Sequence, residues 1–136
     1  MLLKCAPVES FFEELDGVSA DVDDVIYMPS LDHPEDRPHP FVYFIKIRNH
    51  SNERVCIQGR KWLVHEDATD DVIVVEGDGV VGQTPNLRPG EEFSYNSYHV
   101  TRGSGHAEGS FFGMTENGRR ILVRIPRFMM KLPEWA

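Results

Sequence analysis

After Gly17 no stretch of ten or more residues keeps an amphipathic helical period without a glycine or proline interrupting it, which confines the rest of this 136-residue chain to strands and turns. Runs of β-branched and aromatic residues stand in place of helices. Val18 to Met28 alternates Val18, Ala20 and Val22 with Ser19 and Asp21. Phe41 to Asn49 sets Tyr43, Ile45 and Ile47 against Phe44, Lys46 and Arg48, and ends at the turn HSNE. Arg54 to His65 reads as the hairpin partner of that run, with Gly59 marking a bulge or a change of sheet. Val72 to Glu76 and Phe93 to Val100 follow, and a last hairpin pairs Gly109–Thr115 with Arg119–Phe128 across Glu116-Asn117-Gly118. About seven strands without intervening helices predict an all-β fold: an antiparallel sandwich of immunoglobulin or fibronectin type III-like topology. The two tryptophans and most of the eight phenylalanines are expected to fill its core.

The segment before Gly17 has a different pattern. Pro7 suits a first helical turn, Phe11, Phe12 and Leu15 cluster at helical spacing, and Gly17 can cap the end, so Pro7–Asp16 predicts a short helix. The expected organisation is an acidic helical extension over 1–17, a sandwich domain over 18–133 and a tail over 134–136. Between the first two strands, Pro29, Pro34, Pro38 and Pro40 enclose SLDHPEDRPH, whose prolines and charges forbid a regular ladder and predict an exposed loop.

Charge narrows the partners. With 14 Lys+Arg against 22 Asp+Glu the net charge is −8, which disfavours generic binding to a phosphate backbone, so no nucleic-acid partner is expected. Acids crowd residues 1–28, whereas Arg102, Arg119, Arg120, Arg124, Arg127 and Lys131 crowd the last third, so the two ends attract each other or form solvated faces. No apolar run approaches the ~18 residues of a membrane span, so no membrane insertion is expected. The first residues lose their apolar character at Lys4, Pro7 and Glu9, too soon for a signal peptide, and a cytoplasmic location is the expectation. Cys5 and Cys56 lack metal or redox spacing and read as reduced and structural, with Cys56 in the core.

Three groups invite a chemical reading. Gly77-Asp78-Gly79-Val80-Val81-Gly82 matches GxGxxG, but a dinucleotide site needs a helix after it, and Pro85 and Pro89 stand where that helix would be. What survives is a tight loop between strands, or an anion nest in which consecutive N–H groups of Gly77, Gly79 and Gly82 work with Arg60 or Arg88. Six histidines raise the question of metal, and His33, Glu35, Asp36 and His39 share one loop, but their spacing matches no zinc signature. His33 and His39 are therefore weak ligand candidates and no cofactor is expected. For catalysis, Cys56 lacks an activating helix terminus or basic pocket, and Asp23-Asp24 and Asp70-Asp71 lie in solvated runs, so no catalytic residues are predicted and the chain reads as a non-enzyme.

Taken together, FVYFIKIRNHS, VCIQGRKWLV, VEGDGVVGQTPNLRPGEEFSYNS and the late GSFFGM and IPRFMM resemble the ApaG domain family over about Val18 to Pro133. The most specific piece is GxGVVGxxPxLxPGExFxYxS, met by Gly77, Gly79, Val80, Val81, Gly82, Pro85, Leu87, Pro89, Gly90, Glu91, Phe93, Tyr95 and Ser97. The chain departs from the family pattern in its amino-terminal extension, in YHVTRGSGHAEG, and in its short end. The resemblance implies a fibronectin-like sandwich and a non-enzymatic interaction module, with a bacterial association to cobalt resistance and magnesium efflux. Three roles follow as expectations: binding a protein partner, as monomer or homodimer and with Phe11 and Phe12 available for docking; divalent-cation homeostasis; or binding an anion or nucleotide phosphate at Gly77–Gly82.

Overall fold

A computed structural model describes residues 11–136. Eight strands follow in order: β1 (Val18–Tyr27), β2 (His39–Asn49), β3 (Val55–Glu66), β4 (Val72–Asp78), β5 (Asn86–Leu87), β6 (Glu92–Thr101), β7 (Gly105–Thr115) and β8 (Arg120–Met130). They form two antiparallel sheets, β1-β2-β6 and β4-β3-β7-β8, with β5 pairing the start of β3 beyond the end of β4. This is the expected sandwich.

The two-residue period decides which side chains fill it. On β2, Phe41, Tyr43, Ile45 and Ile47 point inward and are buried, and they face Trp62, Val64, Phe111 and Phe128 from the other sheet in one core. In β1 the register against β2 shifts between Val22 and Asp24, so Val22 and Val25 both oppose inward positions of β2 and both pack on the core. In β3 the bulge expected at Gly59 is present: the register against β7 shifts between Ile57 and Gly59. It places Arg60 two residues before the buried Trp62 on the inward-facing parity.

Four expectations are corrected. The predicted helix over Pro7–Asp16 does not form in its described part, and Pro7–Ser10 lies outside the described residues. Glu13 instead bridges Ile121 in parallel fashion, its N–H donating to the Arg120 carbonyl (3.0 Å) and its carbonyl accepting from Leu122 (2.9 Å). A one- or two-turn helix is unstable alone, whereas an extended segment gains sheet hydrogen bonds and sets Phe12 edge-on against Phe112 (5.0 Å between centroids). Secondly, β2 and β3 are not hairpin partners. The chain crosses from one sheet to the other at Asn49–Arg54, and β2 pairs with β1 and β6. Thirdly, of the described aromatics expected in the core, only Trp62, Phe41, Phe111 and Phe128 are buried; Trp135 is 74% exposed, lying on the Tyr27 ring at 5.6 Å, and Phe112 faces outward under Phe12. Fourthly, Cys56 is only half-buried, since its position alternates with the inward Val55 and Ile57; Cys5 lies outside the described residues.

The uneven charge along the chain has a structural counterpart in two ion pairs, Glu13–Arg119 (2.7 Å) and Glu14–Arg124 (2.9 Å). Among the described residues no helix is long and apolar enough to cross a membrane.

Candidate functional site

One long side of the sandwich is closed and the other open. On the closed side β1 packs against β8, and the Glu13 bridge covers part of the β8 edge. On the open side, among the described residues, β4 and β6 are each hydrogen-bonded to a strand on one flank only. β4 is almost wholly exposed, including Val72 (45%), Val74 (51%) and Val75 (38%). Natural edge strands are usually blunted by lysine, proline or a bulge; VIVVEGD carries none of these. Between β4 and β6 lies a cleft of about 180 Å³ lined by Val64, Ile73, Val75, Tyr98, His99 and Val100, together with Arg37, which is paired to Glu66 at 2.5 Å.

His99 is the buried titratable group of this cleft. Its ring sits 4.7 Å from Tyr43 and 4.8 Å from Trp62, and burial pushes the imidazole down to about 4, so it is neutral at physiological pH. Burial likewise raises the Tyr43 and Tyr95 hydroxyls, an effect the positive charge of Arg60 partly offsets. Among the described residues, His99 Nε2, Trp62 Nε1 and Tyr95 Oη have no hydrogen-bond partner. This group is an aromatic core that reaches the cleft at one point.

β4 runs directly into the glycine loop. Gly79 donates to the Gln58 carbonyl (2.7 Å), while Val80 and Gln83 exchange N–H···O bonds of 2.7 and 3.0 Å. Val81 (φ 45°) and Gly82 (φ 77°) form the turn between them, the positive pair of angles that a type I′ turn requires. Gly79 is obligatory on two counts: φ is 68°, and a Cβ there would lie 2.6 Å from the Gln83 carbonyl oxygen. Val80 is driven into the core at 0% exposure, and Val81 is left 45% exposed at the tip. Arg60 Nη1 donates to the carbonyls of Asp78 (2.9 Å) and Gly79 (3.2 Å), in space left by the missing side chain of Gly77. The N–H groups of Gly79, Val80 and Gln83 are thus used within the fold, and Arg60 faces carbonyl oxygens.

The structure therefore brings Gly77, Gly79, Gly82 and Arg60 together and leaves Arg88 apart. Arg88 follows β5, which pairs at Val55–Cys56, whereas Gly77 pairs with Arg60, about 17 Å farther along β3 at ~3.4 Å per residue. The metal candidates also separate. His33 is exposed with Nδ1 3.0 Å from the Pro34 carbonyl, while His39 begins β2 with Nδ1 2.9 Å from the Tyr27 hydroxyl. Among the described residues no three His, Cys, Asp or Glu side chains converge as a metal-binding group. His65 and His106, opposite each other on β3 and β7, stack at 4.4 Å.

Sequence reasoning did not single out the β4 edge, His99 or Asn49. Asn49 had a signal: it ends β2 in phase with the inward residues 41–47, so its amide had to be buried. His99 alternates in the same way with the inward Phe93 and Tyr95.

Residues 29–115 match the model of the ApaG domain. The Protein ApaG of Rhodospirillum centenum is 39% identical over 108 residues, covering 79% of this chain and 82% of that protein. The Protein ApaG of Vibrio vulnificus is 36% identical over 108 residues, covering 79% and 85%. Among solved structures, a crystal structure of a Bordetella pertussis protein designated ApaA superimposes with a TM-score of 0.76 at 29% identity, over 90% of this chain and 98% of that one.

Proposed function

The chain belongs to the ApaG domain family, and on that premise we propose that it is a non-enzymatic protein-interaction module that binds through the open side of its sandwich. The observation that carries this reading is β4: a valine-rich edge strand, paired among the described residues on one flank only and continuous with a loop whose conformation is fixed by positive-φ residues. Such an edge offers main-chain hydrogen bonds for affinity and side chains on alternate faces for specificity. The alternative, an anion or nucleotide-phosphate site at Gly77–Gly82, receives less support. Arg60 stands beside the loop as that reading requires, but it donates to carbonyls, and the loop N–H groups named above are already paired.

Support for binding over catalysis comes from the surroundings of His99. Its neighbours are the rings of Tyr43, Trp62 and Phe128, which supply packing and no activated nucleophile. A link to divalent-cation homeostasis is proposed at one remove, through the partner.

The test is affinity capture on the immobilised full chain, followed by calorimetry with the purified captured protein. A saturable partner is expected, with weaker binding to Val81→Asp, which alters the exposed loop tip. Absence of any partner above a bait-free control would defeat the interaction reading. Cobalt and magnesium titrated onto the chain are expected to give no saturable heat; saturable heat lost in His33→Ala would place the metal on the chain itself.

A further inference from the structure

We infer that the β4 edge accepts an extended segment with an apolar centre and basic residues at both ends, added antiparallel to Val72–Asp78, and that it rejects a second copy of this chain. The inference rests on the interaction reading and specifies the partner's chemistry.

Three observations carry it. First, among the described residues no strand pairs with the outer flank of β4, so its outward N–H and C=O groups are open to a further strand. Secondly, a strand laid there would direct alternate side chains over the cleft of about 180 Å³, where Val64, Ile73, Val75 and Val100 line the walls beside Tyr98, His99 and the Glu66-paired Arg37, enough space for small branched side chains. Thirdly, the four apolar residues Val72–Val75 are bounded by exposed acids on both sides, Asp70 and Asp71 before them and Glu76 and Asp78 after. All four are exposed, and the ion pairs Glu13–Arg119, Glu14–Arg124 and Glu66–Arg37 use other carboxylates. Arg60 and Lys61 stand on β3, across the strand from the free edge.

The placement of the acids decides between occupants. If two copies paired β4 to β4 in antiparallel fashion, the registers that centre the apolar run, with Ile73 or Val74 opposite its own copy, would set Asp70 of one copy against Glu76 or Asp78 of the other, and two-fold symmetry would repeat the clash at the far end. The net charge of −8 per chain adds to it. The acids thus do for this strand what an edge lysine does elsewhere: they prevent self-pairing and leave the edge usable by a strand of opposite flanking charge.

The probe is a fluorescein-labelled peptide of five alternating valines and threonines with two lysines at each end, compared with the same core flanked by glutamates. In anisotropy titrations with the full chain the lysine-flanked peptide is expected to bind at least tenfold tighter. Val74→Lys, an exposed change, is expected to abolish the binding, and Asp70→Lys with Asp71→Lys to erase the preference between the peptides, with circular dichroism confirming that each variant stays folded. Equal binding of both peptides, no binding of either, or binding unaffected by Val74→Lys would overturn the inference. So would concentration-dependent dimerisation of the wild-type chain that Val74→Lys removes. A protein partner that still binds Val74→Lys would overturn the β4 assignment while leaving the interaction reading intact.

Discussion

The buried amide of Asn49 donates to the carbonyl of Leu87 at 2.9 Å, tying the point where the chain leaves one sheet to the short strand that pairs with the other. The same nitrogen donates to Glu53 (2.8 Å), and Oδ1 accepts from the Ser51 N–H (3.0 Å) and hydroxyl (2.6 Å). One side chain thus does the work of a ladder where none can form.

Replacing it leaves two buried carbonyls without these donors. Asn49→Leu is therefore expected to cost about 2–4 kcal/mol in urea unfolding, against about 1 kcal/mol for Ser51→Ala. A loss below about 1 kcal/mol for Asn49→Leu would mean that the crossover holds without it.

The pH dependence of stability follows from His99. Its folded value of about 4 lies below the ordinary 6.5, so the unfolded chain takes up the proton first. The stabilisation is complete above pH 6.5, declines as pH falls from 6.5 to 4, and changes no further below that. Between those two values the loss amounts to about 3–4 kcal/mol at ~1.4 kcal/mol per pH unit. Denaturant unfolding at intervals between pH 7 and 4 should show that decline, and His99→Phe should lack this component. An unchanged slope in the variant would assign the acid sensitivity to other groups.

Val81 offers the opposite kind of substitution. A β-branched residue at φ 45° is strained, and Asn followed by Gly82 is the pair such a turn prefers. Val81→Asn should stabilise the chain by about 1 kcal/mol, seen as a rise of a few degrees in thermal midpoint. A lower midpoint would show that Val81 makes contacts worth more than its strain.

Phe12 is expected to fasten the amino-terminal segment to the sheet through Phe112. Phe12→Ala should cost about 1–2 kcal/mol and speed hydrogen exchange at the Glu13 and Leu122 amides, both of which belong to the bridge. Unaltered exchange at both would show that the backbone bridge stands on its own.

Most strands were legible because alternation is a local property: Phe41 to Asn49 shows its inward and outward faces in the sequence itself. Partner choice was not. Nothing in HSNE distinguishes a hairpin turn from a crossing between sheets, since the deciding contact, Asn49 to Leu87, spans 38 positions. Likewise Phe11, Phe12 and Leu15 fit a helical face, yet the gain from docking Phe12 on Phe112 depends on a strand a hundred residues later. At the candidate site, the tight glycine loop was readable from the demand for positive φ, whereas Arg60 and Arg88 stood as equal neighbours in the sequence and only the β3–β4 register, Arg60 opposite Gly77, separates them. The β4 edge was hidden, because Val72-Ile73-Val74-Val75 reads equally as a strand buried on both faces, and only sheet order leaves it outermost.

The contrast between Trp62, 1% exposed among rings, and Trp135, 74% exposed on Tyr27, gives the chain two built-in fluorophores in opposite media. Emission from the first should be blue-shifted and inaccessible to iodide, and emission from the second red-shifted and readily quenched. A single spectrum can then separate release of the carboxyl-terminal residues from loss of the core, and Trp135→Phe would leave a purely interior signal with which to follow unfolding.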